Sequence, residues 1–116
     1  QFGLMNTPES KPGYLALVPE GSDWRNEAPA RIALTLPAYR PVSYAAQISC
    51  PVLIICAEND SLNPAKAVEK CASKIKSATI VILPVGHFGV YFGDNFEKVS
   101  EMEAKFLAGQ LLAKSA

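Results

Sequence analysis

What the sequence lacks narrows it first. Neither sign of charge is in surplus: eleven Lys and Arg stand against eleven Asp and Glu in 116 residues. Without a basic stripe to meet a phosphate backbone, nucleic acid is not an expected partner. No apolar run approaches the length of a membrane span. The longest, Pro51 to Ala57, is strand-sized, so no membrane partner is expected either. Cysteines are few and odd in number (Cys50, Cys56 and Cys71), with no CxxC spacing. This pattern fits neither a disulfide framework nor a metal site, and a reducing, cytoplasmic setting is the expectation. There is no internal repeat, no low-complexity tract and no secretory leader pattern. The chain opens on Gln1 rather than Met, and we expect a piece of a longer protein.

What is present suits a folded core. Apolar residues make up 49% of the chain and charged residues 19%, which separates it from disordered sequences. A chain of this size buries about two-thirds of its surface if it forms a complete domain.

The chain changes character near Cys50. Residues 1–23 place three prolines in turn-like settings, Thr7-Pro8, Lys11-Pro12-Gly13 and Pro19-Glu20-Gly21, and read as irregular, turn-rich chain. The spacing predicts a helix over Asn26–Leu36, with Asn26 as N-cap, Glu27 and Pro29 in the first turn, and Ile32, Ala33 and Leu36 on one face. Pro37 and Pro41 should stop it, with a short helical turn at Ser43–Gln47. After Cys50 the signals sharpen. Pro51–Ala57 is a continuous, β-branched apolar run of the kind that forms a strand buried on both faces in a parallel sheet. Ala65–Lys76 sets Val68, Cys71, Ala72 and Ile75 on one helical face. Thr79–Leu83 repeats the strand pattern. A last helix begins near Asp94 and Glu97, its apolar face made by Phe96, Val99, Met102, Phe106 and Leu107. Strand, helix, strand, helix is a βαβα unit whose crossover demands a parallel pair. The division is residues 1–49, turn-rich with one helix, and residues 50–116, the βαβα unit.

In open α/β sheets, sites lie beyond the carboxyl ends of the strands. Asp60 follows the first strand and His87 the second, each three residues past the strand-end segment. Parallel neighbours would bring this acid and this imidazole together, the carboxylate fixing the ring tautomer while the other ring nitrogen moves a proton. Glu58 competes for the acid role but stands nearer its strand. A lone Asp in such a loop also serves as a turn former or helix N-cap, and Phe88 reads as a hydrophobic wall or as core. Cys56 and Cys71 read as small buried hydrophobes, while Trp24, Arg25 and Arg40 suit packing, surface or pocket roles.

Two runs, Cys50-Pro-Val-Leu-Ile-Ile-Cys-Ala-Glu-Asn-Asp-Ser-Leu-Asn-Pro64 and Ile80-Val-Ile-Leu-Pro-Val-Gly-His-Phe-Gly89, resemble the C-terminal end of an α/β-hydrolase. There a penultimate strand ends in a G-x-x-D-type turn and the last strand leads to a Gly-His pair. The matching acid is Asp60 and the matching base His87, with Ala57 where Gly is common. Residues 20–50 more weakly resemble the segment that leaves a helical cap. The resemblance implies the C-terminal portion of an α/β-hydrolase fold: two parallel strands with flanking helices plus a helical cap-exit segment. It also implies hydrolysis of an ester, amide or related acyl bond on a small-molecule substrate, with neither cofactor nor metal. No G-x-S-x-G, G-x-C-x-G or G-x-D-x-G stands upstream of Asp60, so a Ser, Cys or Asp nucleophile would lie in a missing N-terminal portion. The chain alone is then expected to be inactive, and to form homo-oligomers through strands that have no neighbours to cover them. The other reading is a non-catalytic α/β binding or assembly module that recruits a partner through an exposed sheet edge.

Overall fold

The computed structural model describes residues 5–112. Its centre is a parallel pair of strands, β1 (Val52–Ala57) and β2 (Ala78–Leu83), in register from Val52 opposite Ala78 to Ala57 opposite Leu83. Runs of β-branched residues favour this extended geometry, because their stiff side chains pack on a pleated surface. The crossover contains helix α3 (Ala65–Ala72), which packs against both strands. This helix ends four residues before the expected Lys76. The Ser73, Lys74 and Ile75 amides bond back to Glu69, Cys71 and Ala72 at 2.9–3.1 Å, tightening the chain into turns that still bury Ile75. A final helix, α4 (Gly93–Leu112), lies against β1 and buries Val99, with Met102 and Phe106 half-buried. Phe96 and Leu107, placed on the same expected face, are exposed.

The first half departs from the sequence reading in two places. Within residues expected to be irregular, Ser10–Leu17 form a helix, α1. Its Pro12 occupies the first turn, where an amide would have no intrahelical partner, so proline costs the helix no hydrogen bond. Conversely, the helix expected over Asn26–Leu36 shrinks to α2 (Ile32–Thr35), and Asn26 caps nothing. Pro29 disfavours helical geometry at Ala28 before it, and the chain winds up only after Pro29, through Ile32, Ala33 and Leu34 amides bonded three residues back. Pro37 does not stop the winding. It is tolerated at the start of a 3₁₀ turn over Leu36–Ala38, and a second 3₁₀ turn spans Pro41–Gln47, where a shorter turn was expected. Residues 1–4 of the expected turn-rich segment lie outside the described residues.

The strands are less covered than their composition predicts. Burial on both faces is reached only at Cys56 and Ala57, and Ile82 is 45% exposed. The described residues supply two strands and four helices, too few elements to cover both sides of an apolar sheet. One consequence is a groove of about 270 Å³ between Leu53 and Ile55 of the sheet and Phe96 and Val99 of α4.

An aromatic chain ties α1 to the end of β2. Phe88 is buried, meeting Tyr14 edge-on with centroids 5.7 Å apart, while Tyr14 stacks on Trp24 at 6.0 Å. Trp24 therefore has a packing role. Phe88 fits under α1 because Gly13 has no side chain: a β-carbon there would stand 2.3 Å from the ring. Replacing glycine by alanine inside a helix gains about 1 kcal/mol of propensity, whereas forcing a methyl into a packed contact costs roughly 1–3 kcal/mol. Gly13→Ala is expected to lose stability despite the better helix former. Urea unfolding showing Gly13→Ala to be more stable than the native chain would contradict this packing.

Candidate functional site

The site begins where the strand ladder outlasts the strands. Past Ala57, the Glu58 amide donates to the Leu83 carbonyl at 2.8 Å and the Asn59 amide to Val85 at 3.0 Å. The loops after β1 and β2 are thus held side by side for two further residues. The next acid on one loop and the imidazole on the other then meet, with Asp60 Oδ2 2.9 Å from His87 Nδ1. His87 opens a 3₁₀ turn, His87–Tyr91, whose Phe88 is the residue clamped by α1. That ring also lies edge-on to the imidazole at 4.8 Å, so Phe88 acts both as core and as a wall of the site.

The two oxygens of Asp60 do different work. Oδ1 accepts backbone N–H groups from Leu62 at 2.7 Å and Asn63 at 2.8 Å, a turn closed by a side chain. Oδ2 is left for the imidazole. Turn former and imidazole partner are therefore the same residue, but Asp60 is not the N-cap of α3, a position held by Pro64. Burial alone would raise the Asp60 carboxyl. The Asn63 amide, the His87 ring and the Leu62 amide outweigh it, so the carboxyl lies below its usual value. An ionised carboxylate can only accept, so Nδ1 carries the ring proton and donates it to Oδ2. Among the described residues Nε2 has no hydrogen-bond partner. The His87 and Asp60 side chains are 20% and 10% exposed, a pair reachable from solvent yet partly shielded from it.

The competing candidates fall elsewhere. Glu58 is exposed and its recorded bond is the backbone one to Leu83. It borders an open hollow of about 620 Å³ with Asp60, Lys66 and Glu69, whose walls do not include His87. Arg25 and Arg40 are exposed. Cys50, Cys56 and Cys71 are free thiols, exposed, buried and half-buried in turn. Burial, then the charges of Glu69, Asp60 and Glu58, push the Cys56 thiol up, away from the reactive thiolate. Sequence reasoning missed Asn63, whose side-chain amide stands 3.4 Å from Nδ1. The Asp-x-x-Asn spacing, a common turn pattern, is the signal that could have pointed to it. Among the described residues no group of three or more His, Cys, Asp or Glu could hold a metal ion, and no helix is long and apolar enough to cross a membrane.

A sequence model of the alpha/beta hydrolase fold matches residues 10–94, most of the chain. The chain belongs to the alpha/beta hydrolase fold family. Within it, the chain is 38% identical over 104 residues to the quorum-quenching protein AidA of Acinetobacter baumannii (strain MDR-ZJ06), a match covering 90% of this chain and 34% of that protein. It is 30% identical over 76 residues to an uncharacterized 31.7 kDa protein of the traX-finO intergenic region of Escherichia coli, covering 63% of this chain and 27% of the relative. The chain thus spans about a third of the length of the first of these curated relatives and about a quarter of the second. No solved structure matches it. The two parallel strands and their flanking helices are consistent with part of an alpha/beta hydrolase fold.

The lowered Asp60 carboxyl has a stability consequence with a definite sign. A carboxyl that is more acidic in the folded state stabilises the fold above its unfolded value of about 4. That contribution is lost as pH falls through the folded value. Thermal melts of the native chain are expected to drop more steeply below about pH 4 than those of Asp60→Asn. Parallel curves for the two proteins would mean that the carboxylate is not held as described.

Proposed function

We propose that this chain supplies the acid and the base of a nucleophile–His–acid triad in a hydrolase acting on an ester, amide or related acyl bond of a small molecule. The observation that carries the reading is the 2.9 Å Oδ2–Nδ1 hydrogen bond across adjacent parallel strand ends, within a member of the alpha/beta hydrolase fold family. In this reading residues 1–49 form the segment leaving a cap, residues 50–116 close the hydrolase core, and the nucleophile (Ser, Cys or Asp) comes from a preceding N-terminal portion. The relatives, about two and a half times as long, support such a portion. The 38% identity to AidA, a quorum-quenching protein, supports a small signalling molecule as the class of substrate. The three free thiols suit the reducing cytoplasm.

The roles follow from the hydrogen bonds. Asp60 holds the ring with its proton on Nδ1, so Nε2 presents a lone pair. When the nucleophile is a hydroxyl or thiol, Nε2 takes its proton as the acyl carbon is attacked. The imidazolium so formed gains its charge 2.9 Å from an ionised carboxylate, then yields the proton to the leaving group. Water, activated by the same nitrogen, releases the acyl product. Because Asp60 is anchored by two amides, it stabilises the imidazolium without having to reorient.

In the longer polypeptide, His87→Ala is expected to abolish nearly all turnover. Asp60→Asn should lower kcat by about four orders of magnitude, because its amide would donate to Nδ1 and move the ring proton to Nε2. Near-normal kcat/KM in either variant, on the best acyl substrate found, would remove the triad reading. The 116-residue chain alone should show no esterase activity above background.

The same reading predicts how the chain behaves by itself. At about 25 cal/mol per Å², even roughly 400 Å² of uncovered apolar sheet forgoes on the order of 10 kcal/mol of burial. Another copy, or the N-terminal portion, would recover it. Sedimentation equilibrium over a dilution series is expected to show a dimer or larger species, dissociated when the N-terminal portion is added in trans. A monomer at every concentration would show that the chain covers its own sheet.

A further inference from the structure

One carboxylate that belongs to neither loop of the site touches both. Glu9 directly precedes α1. Its Oε1 accepts a hydrogen bond from the Ser61 hydroxyl, the residue after Asp60. Its Oε2 lies against Gly86, the residue before His87, so closely that a β-carbon at Gly86 would stand 2.8 Å away. Gly86 has φ −80° and ψ 178°, a conformation open to any residue. A side chain at this position would therefore have to displace the Glu9 carboxylate from its place against Gly86. Glu9 is itself well held. Its carbonyl accepts the Gly13 amide at 3.0 Å, and the Thr7 and Ser10 hydroxyls, 2.7 Å apart, close the turn around it, with Ser10 buried. Gly13 in turn sits on Phe88, beside the imidazole.

We propose that Glu9 is a positioning residue for the Asp60–His87 pair. Backbone pairing between the two loops stops at Asn59 and Val85. Glu9 adds a second tie one step further out, at the residues adjoining the acid and the base. A carboxylate suits this task for two reasons. It accepts without donating, so it offers Asp60 no competing hydrogen bond, and its charge strengthens the bond from Ser61. Without the tie, only the backbone pairing that ends at Asn59 and Val85 aligns the two loops, and the 2.9 Å bond between Oδ2 and Nδ1 is made only part of the time. The effect on turnover rests on the triad reading given above; the effect on the ring does not.

The chain contains one histidine, so ring ¹⁵N and ¹³C NMR of the 116-residue protein reports on His87 without assignment. In Glu9→Ala, and equally in Ser61→Ala, the ring is expected to shift from the Nδ1–H tautomer to a mixture of both. Glu9→Gln, which keeps an acceptor oxygen, should restore most of the native spectrum. Combining Glu9→Ala with Ser61→Ala should do no more than either alone, because both break one contact. In the longer polypeptide kcat should fall on the order of tenfold with KM little changed, as expected for a displaced reacting group. Should Glu9→Ala fail to fold, Ser61→Ala breaks the same contact from an exposed loop. The proposal is overturned if these variants leave the tautomer unchanged, even if they lower the melting temperature, since Glu9 would then only fasten α1. If Glu9→Ala shifts the tautomer while His87→Ala leaves turnover intact, the positioning role stands and the triad reading fails.

Discussion

The parallel register of β1 and β2 is the constraint on which the site depends. Because Ala57 faces Leu83, the two loops leave the sheet at the same level, and the amides of Glu58 and Asn59 keep them level for two more residues. The acid and the imidazole then need only short, local turns to meet. A slip of one residue would turn every strand side chain to the opposite face and carry Asp60 out of step with His87. The apolar side chains of the strands thus do more than bury surface. They choose the one pairing in which the two polar groups coincide.

The acid loop shows how a small turn can organise chemistry. Asp60 spends one oxygen on the backbone of its own turn and the other on the imidazole. The first commitment orients the second, since the two amides that hold Oδ1 turn Oδ2 toward the ring. A turn-forming aspartate and a partner for histidine looked like rival readings of one residue. They are successive requirements met by the same group.

The parts legible from sequence are those determined locally. Apolar runs of strand length, the helical spacing of Val68, Cys71, Ala72 and Ile75, and an acid and a histidine after consecutive strands all act over a few residues. They led directly to the βαβα unit and to Asp60 and His87. The missed parts depend on contacts between distant segments. Lys11-Pro12-Gly13 looks like a turn until Phe88 is placed against it, for the proline is harmless in a first turn and the glycine is there for the ring. Glu9 carries no local signal, since its partner Ser61 lies 52 residues away. Asn26–Leu36 failed in the opposite sense: favourable residue types were overruled by Pro29 and by the lack of a surface to pack on, as every residue there is exposed. The half-covered strands have the same origin, because sequence reports what a side chain needs but not whether a neighbour supplies it.

The route by which α1 reaches the site has a bearing on how such a protein can change over generations. Between Val18 and Ala45 every residue is exposed, and apart from Trp24, stacked on Tyr14, this stretch joins α1 to β1 without filling any core. Lengthening a flexible connection costs little, about 0.6 kcal/mol of closure entropy for each doubling. Insertions and deletions there can accumulate while both ends keep their seats. The stretch is free to diversify in length and composition beside an Asp60–His87 pair whose geometry is set from elsewhere in the chain.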